Sequence, residues 1–378
     1  MNPRNLPSGD PYIYVSYELN SQFGYVAVID PIEDKVIKRI PVGRKPGPMG
    51  MDPGEKKLYV VNTDAPSVTI IDTDTFNILN TAPIGNPFTL NYPNTVLAAP
   101  KGNKVYAAES GPSVTIIDAL TNQSIKELGL SQWFEDNPFA FAGHEKSNYI
   151  YVACVSDKDK MFAISIDDDS VYPYGVGIEL TFDRTHNPLT VHPDGTTQLT
   201  LGPIGMATYI GDDKIGLSKT SSVLDNTVSG IYLDNKLLFC TMQEDKSIMK
   251  RITNLAIDRK GNITWDHIAD VPSYKGQDKI RVSRNQKYIG VTIQPTGSQA
   301  GGLQIYNVDN ASSWLVSLDY VGDLAFYSDT KAYVGEPKAI RPIDLATAKA
   351  LPAIPIGFPN DTRITVKNII SGYSTQSS

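Results

Sequence analysis

The chain has 378 residues, 41% of them hydrophobic and 20% charged, with a formal net charge of -7. That balance excludes a basic nucleic-acid-binding surface, which gathers Lys and Arg on one face. No stretch has the roughly 20 apolar residues of a membrane-spanning helix, so neither nucleic acid nor membrane is an expected partner.

The opening stretch, MNPRNLPSGDPYIY, lacks the apolar core of a secretory leader. The expectation is a cytoplasmic chain as given, or an exported one if a leader has been removed. Residues 1–11 are read as an extension and 12–370 as one folded unit. Residues 371–378, with the polar run SGYSTQSS, form a tail.

From Tyr14 onward, short β-rich runs alternate with Asn, Asp, Pro and Gly clusters. LYVVNTDAPSVTIIDTDTFNILNTAPIG, from Leu58 to Gly85, shows the unit most clearly: an aromatic strand, a polar loop, a V-x-I-I-D strand, an acidic turn and an outer strand. The same order precedes it around Tyr14 and follows it around Tyr106 and Tyr151. Past Tyr151 the pattern weakens, but HPDG at His192–Gly195 copies the turn at Asp52–Glu55 and makes Leu199 the next marker. Phe239, Tyr288 and Tyr333 continue the series. The markers lie 45, 47, 45, 48, 40, 49 and 45 residues apart, a period that with four strands per unit is the arithmetic of a β-propeller. Eight markers imply eight four-stranded antiparallel blades. Treating the fifth unit as an insertion would give seven, and eight is the expectation.

The first marker strand has no strand before it, whereas Arg363–Ile370 is left over at the end. That C-terminal strand is expected to complete the first blade and close the ring, which removes the exposed sheet edges of an open array.

YVVN at Tyr59–Asn62, SVTIIDTDT at Ser67–Thr75, IPVGRKP at Ile40–Pro46 and HPDG resemble the YVTN repeat of bacterial β-propellers. The resemblance covers residues 12 to 125 well and fades beyond 200. It extends to YncE-like and surface-layer-type proteins and to the large subunit of quinohaem amine dehydrogenases. Such repeats imply a fold rather than a chemistry. The resemblance further implies that the loops from the fourth strand of one blade to the first of the next, with the second-to-third loops, surround a central channel on one face. Residues that these loops would bring there are Arg44 and Lys45, Tyr92, then Trp133, Glu135 and Asp136. His186, Arg281, Asp361 and Arg363 complete the candidate ligand-binding set.

His144 and His192 fall in turns on the opposite face and His267 in an outer strand, so His186 alone is placed for chemistry. Asp72, Asp118 and Asp167 end V-I-D-type strands, where a carboxylate accepts hydrogen bonds from the following turn. Cys154 and Cys240 sit in non-adjacent units and are read as buried free thiols, which favours a reducing compartment. One placed histidine and two separated cysteines do not make a zinc site, and no metal site is expected. The run Asp167–Asp169 lacks the calcium-loop spacing, and no C-x-x-C-H haem attachment or G-x-S-x-G motif occurs. No cofactor is therefore expected, although calcium and haem stay open, and no catalytic residue is assigned.

The leading reading is a monomeric binding or interaction scaffold for a small polar or anionic ligand, a peptide or a glycan. One alternative is a lactonase- or lyase-type enzyme, a hydrolase or lyase on a small polar substrate, using His186 or the Glu135/Asp136 pair. The other is a propeller that binds haem or a quinone.

Overall fold

A computed structural model describes residues 11–85, 93–130, 137–155, 160–174, 186–195, 197–202, 205–210, 219–221, 224–233, 236–243, 245–257, 263–358, 361 and 363–372. Within them the chain forms antiparallel sheets built in sequence order, each laid from the inside outward as strands A, B, C and D. Sheet 2 shows the plan, with A at Pro46–Met51, B at Lys57–Asn62, C at Ser67–Asp72 and D at Ile78–Pro83. The A strands of sheets 3 to 8 are Pro93–Ala98, Asn137–Ala142, Leu189–Val191, Thr227–Tyr232, Gln277–Val282 and Leu324–Phe326. In sheet 1 strands B, C and D are Ile13–Leu19, Phe23–Asp30 and Lys35–Val42, and the A strand is the C-terminal Ile364–Ser371, paired Ile13 to Ser371 and Leu19 to Ile364. The expected closure by the last strand is thus present.

The expectation of eight four-stranded blades needs correcting. Among the described residues seven sheets are four-stranded, sheet 8 has five strands, and a two-stranded ribbon, Ala256–Ile257 with Ile263–Thr264, stands apart from them. The C strand of sheet 8, Ala339–Asp344, pairs first with Lys349–Ala350 and then with Ile354–Pro355. Pro352 lies between these two short pieces, and proline has no N–H to give a ladder. The fifth unit is a full sheet rather than an insertion: its C and D strands are Gly205–Ile210 and Lys219–Ser221.

Alternation places the two faces of every B and C strand against different neighbours. Tyr59, Val61 and Ile70 of sheet 2 pack on Val96, Val105 and Ile117 of sheet 3. Tyr14, Val26 and Val28 of sheet 1 pack on Met49, Leu58 and Val60 of sheet 2, and Ile13, Val15 and Tyr17 pack on Tyr333, Ile340 and Ile356 of sheet 8. The core is therefore a ring of wedges between consecutive sheets. Tyr288 needs a second correction. It pairs with Asn307 as Lys57 pairs with Asp72, so the tyrosine position of sheet 7 is held by Gly290. A Cβ there would stand 2.7 Å from Leu324 and 3.0 Å from Phe326. Side chains of sheet 8 fill the space that tyrosine fills elsewhere.

Polar clamps join the same sheets at the outer turns. The turn from C to D needs a left-handed residue, which Asn and Asp tolerate best; Asp34, Asn122 and Asp169 occupy it with φ of 50°, 60° and 62°. The first residue of the preceding sheet's B strand reaches across to it. Lys57 Nζ donates to Asn122 Oδ1 at 2.8 Å, Lys104 Nζ to Asp169 Oδ1 at 2.6 Å, and Lys331 Nζ to Asp34 Oδ2 at 2.9 Å. Between sheets 1 and 2 both partners change together: Tyr12 meets Phe76 edge to face at 5.1 Å. Asp72 and Asp118 accept two backbone N–H groups each from their turns, as expected. In sheet 4, however, the strand ends at Ser165 rather than Asp167, and Asp169 is the clamp. Cys154 and Cys240 are buried free thiols.

The clamp that closes the ring is the most consequential one, because Asp34 also accepts from Tyr333 Oη at 2.5 Å. Lys331→Met should cost about 2 kcal/mol by removing charged hydrogen bonds to a partly buried carboxylate. Urea unfolding checks this against Lys35→Met, whose partner Glu33 is exposed and whose loss should leave the unfolding midpoint essentially unchanged.

Glu55 gives a pH signature. Burial raises its carboxyl to about 8, with Asp52 adding to the rise and Arg284 opposing it. A carboxyl raised on folding binds more protons folded than unfolded. Its contribution is complete below the unfolded value of about 4.3 and declines as pH rises towards 8. Glu55→Gln should therefore match the wild type at about pH 4 and exceed its stability at about pH 8, measured by urea midpoints. Asp118 and Asp344 act in the opposite sense. Backbone hydrogen bonds from Thr121 and Thr347 lead the causes that hold them low, so their contribution is lost as pH falls below about 4.

Candidate functional site at the channel

An A strand is the inner edge of its sheet, so half of its backbone groups have no partner within that sheet. Side-chain amides from neighbouring sheets supply several. Asn368 Oδ1 accepts from Met49 N at 3.1 Å, and Asn94 Nδ2 donates to Pro138 O at 3.1 Å; one strand further out, Gln277 Oε1 accepts at 3.2 Å from Met242 N, at the end of the B strand Leu237–Met242 of sheet 6. Asn187 Nδ2 donates to Phe141 O at 2.9 Å.

On sheets 7, 8 and 1 this belt becomes charged. Arg281 Nη2 lies 2.9 Å from Asp323 Oδ1 and 3.2 Å from Oδ2, and Asn368 Nδ2 donates to the same carboxylate. Asp323 is only 3% exposed and also accepts from Leu324 N at 2.9 Å. One buried carboxylate thus ties three consecutive A strands. Two further ion pairs flank it at 3.3 Å, Lys279 with Asp278 and Lys367 with Glu18, and their ammonium groups are 31% and 35% exposed. The Asp278 carboxylate also accepts from Gln294 Nε2 at 2.9 Å, and Nε2 donates onward to Val321 O at 2.8 Å. His186 stands next to this group, with Nε2 3.3 Å from Gln277 O and 3.8 Å from Asp278 Oδ1.

The sequence-predicted residues divide accordingly. Arg281 belongs to the channel network, but on an A strand rather than in a loop. His186 adjoins it. Arg44 and Lys45 point elsewhere, to Asp64 at 2.8 and 3.8 Å. Asp361 is a turn residue whose Oδ2 accepts from Phe358 N at 2.6 Å. Arg363 is exposed and contributes its backbone carbonyl to Asn20 N at 2.8 Å. Tyr92, Trp133, Glu135 and Asp136 lie outside the described residues. Lys279, Asp323, Lys367 and Asn368 are not in the candidate ligand-binding set read from the sequence. The signal available was charge recurring along two strands otherwise rich in β-branched residues, QDKIRV and ITVKNIIS.

As a possible haem ligand His186 fits poorly, because Nε2 already faces the Gln277 carbonyl and Asp278. As an acid or base it has a carboxylate close by. Among the described residues, no group of three or more His, Cys, Asp and Glu is arranged to hold a metal ion.

No family model matches the sequence and no curated protein matches it. Solved structures do. Dihydro-heme d1 dehydrogenase NirN in complex with DHE is similar with a TM-score of 0.72 and 14% identity, over 98% of this chain and 76% of that one. Citrobacter koseri AztD gives 0.66 and 13%, over 96% and 98%. A functionally unknown protein from Desulfotomaculum acetoxidans DSM 771 gives 0.54 and 12%, over 95% and 99%. At such identities the likeness establishes architecture alone: this chain is a closed, all-β propeller scaffold.

Proposed function

We infer that the protein is a small-ligand-binding propeller of the YVTN type whose site is the channel wall of sheets 7, 8 and 1. The observation that carries this reading is the placement of Lys279 and Lys367. Both are partly exposed on A strands, and each leans on a carboxylate, with the Arg281–Asp323 pair fixed between them. Binding sites present a few converging polar groups held by a rigid frame, and this frame is rigid because Asp323 joins three strands. An ammonium group has three donors, so Lys367 can keep its carboxylate and still reach a ligand oxygen.

A second reading, an acid–base enzyme, is favoured by His186 standing beside Asp278. Proton transfer by a positioned side chain is worth about 10² to 10⁴ in rate. It would use the same channel mouth and a small polar substrate.

Thermal-shift screening with a panel of polar metabolites tests the first reading. At least one compound should raise the melting temperature of the wild type and fail to raise that of the Lys279→Met/Lys367→Met double variant. Stabilisation that is equal in the double variant, with Lys101→Met as a rim control, would sink the site. For the second reading, turnover of a stabilising compound should fall about 100-fold or more in His186→Gln. Unchanged turnover removes it.

A further inference from the structure

The outermost strand of sheet 8 is interrupted between Lys349–Ala350 and Ile354–Pro355, where the chain bows around Pro352. The bow is held rather than loose. Leu351 N donates to Pro342 O at 2.8 Å, and Leu351 O accepts from Arg341 Nη1 at 3.1 Å. Arg341 is fixed in turn by Glu336, whose two carboxylate oxygens accept from Nε and Nη2 at 2.8 and 3.1 Å.

Between sheets 2 and 3 the outer strands bond to each other: Asn80 Nδ2 donates to Asn122 O at 2.6 Å, and Ser124 Oγ donates to Pro83 O. Between sheets 8 and 1 the bow instead leaves a cavity of about 420 Å³ against the D strand Lys35–Val42. That volume is of the size that holds a small molecule.

The lining has two chemical parts. Val36 on one wall and Leu351, Ala353 and Ile354 on the other are apolar, while Lys35 and Arg39 add two cations to the Val36 side. The one carboxylate in the lining, Asp34, is already engaged, since Oδ1 accepts from Tyr333 Oη at 2.5 Å and Oδ2 from Lys331 Nζ at 2.9 Å. Two cations against one carboxylate leave a single positive charge, which matches a monoanion and not a dianion. An arginine has five N–H donors. Arg39 gives two of them to Ile356 O and Gly357 O at 2.7 and 2.8 Å, so donors remain for a carboxylate, whose two oxygens suit the guanidinium fork.

We propose that this rim cavity binds a hydrophobic monocarboxylic acid. The hydrocarbon body lies between Val36 and the wall of Leu351, Ala353 and Ile354, and the carboxylate meets Arg39 and Lys35. The site stands between outermost strands, and the proposal is independent of the channel reading above.

Calorimetry of the full chain with octanoate tests it. Octanoate should bind at one site, and both octanol, which lacks the charge, and succinate, which lacks the apolar body, should bind at least about tenfold more weakly. Ala353→Trp, which fills the cavity, should weaken octanoate at least about tenfold. Lys35→Glu, a change at an exposed side chain that leaves folding intact, should weaken it about fivefold, and affinity should fall as salt rises from about 0.05 to 0.5 M. The channel variant Lys279→Met/Lys367→Met should bind octanoate as the wild type does. The proposal is overturned if octanoate does not bind, if octanol binds equally well, or if binding survives Lys35→Glu unchanged. Binding lost in the channel variant and kept in Ala353→Trp would overturn it as well, by placing the acid at the channel.

Discussion

The pairing of Ile13–Leu19 with Ile364–Ser371 is the constraint on which the ring depends. A stack of twisted sheets could continue indefinitely and would leave an apolar face at each end. Here the last strand of the chain becomes the first strand of sheet 1, so the two terminal faces cover each other. Everything at the channel follows from that exchange. Asn368 and Lys367 belong to the closing strand, and Asp323 and Arg281 belong to the two sheets before it. The charged part of the channel is therefore the seam of the ring.

The seam is also where hydrogen bonds to charged groups concentrate. Lys331, Tyr333 and Asp34 hold the turns together at the outside, and Arg281, Asp323 and Asn368 hold the A strands together at the inside. Elsewhere the sheets adhere mainly through their apolar wedges. Charge placed in a partly buried seam costs desolvation, and a fully satisfied network of this kind specifies one arrangement more than it adds stability. A ring that must close in one register benefits from such specificity.

The fold was legible because its signals are local and repeated. Aromatic strand openings, V-I-D endings and P-D-G turns each report a backbone conformation of a few residues, and recurrence multiplies them. The closing strand was legible by subtraction, since one strand lacked a blade. Where the reading slipped, a neighbour in space had compensated. Gly290 could not be recognised as the tyrosine position because Phe326, on another sheet, fills its volume. Sheet 8 could not be recognised as five-stranded because the split follows from how the chain bows around Pro352. The channel was legible only in part. Arg281 stood out as a charge near a loop, but the residue that organises it, Asp323, gains its meaning from two strands distant in sequence. Arg44 and Lys45 carried the same kind of signal and turn instead to Asp64.

The antiparallel seam has a mechanical corollary. Ser371 lies opposite Ile13, and Gly372 N donates to Tyr12 O at 3.2 Å, so both ends of the chain leave from the same corner of sheet 1. A load applied through the termini would open this ladder one rung at a time from that corner, instead of shearing all its bonds at once. A closed ring of this kind thus keeps one direction along which it is weak. Tethered by its two ends, it would open like a zip, beginning with the strand that carries Lys367 and Asn368.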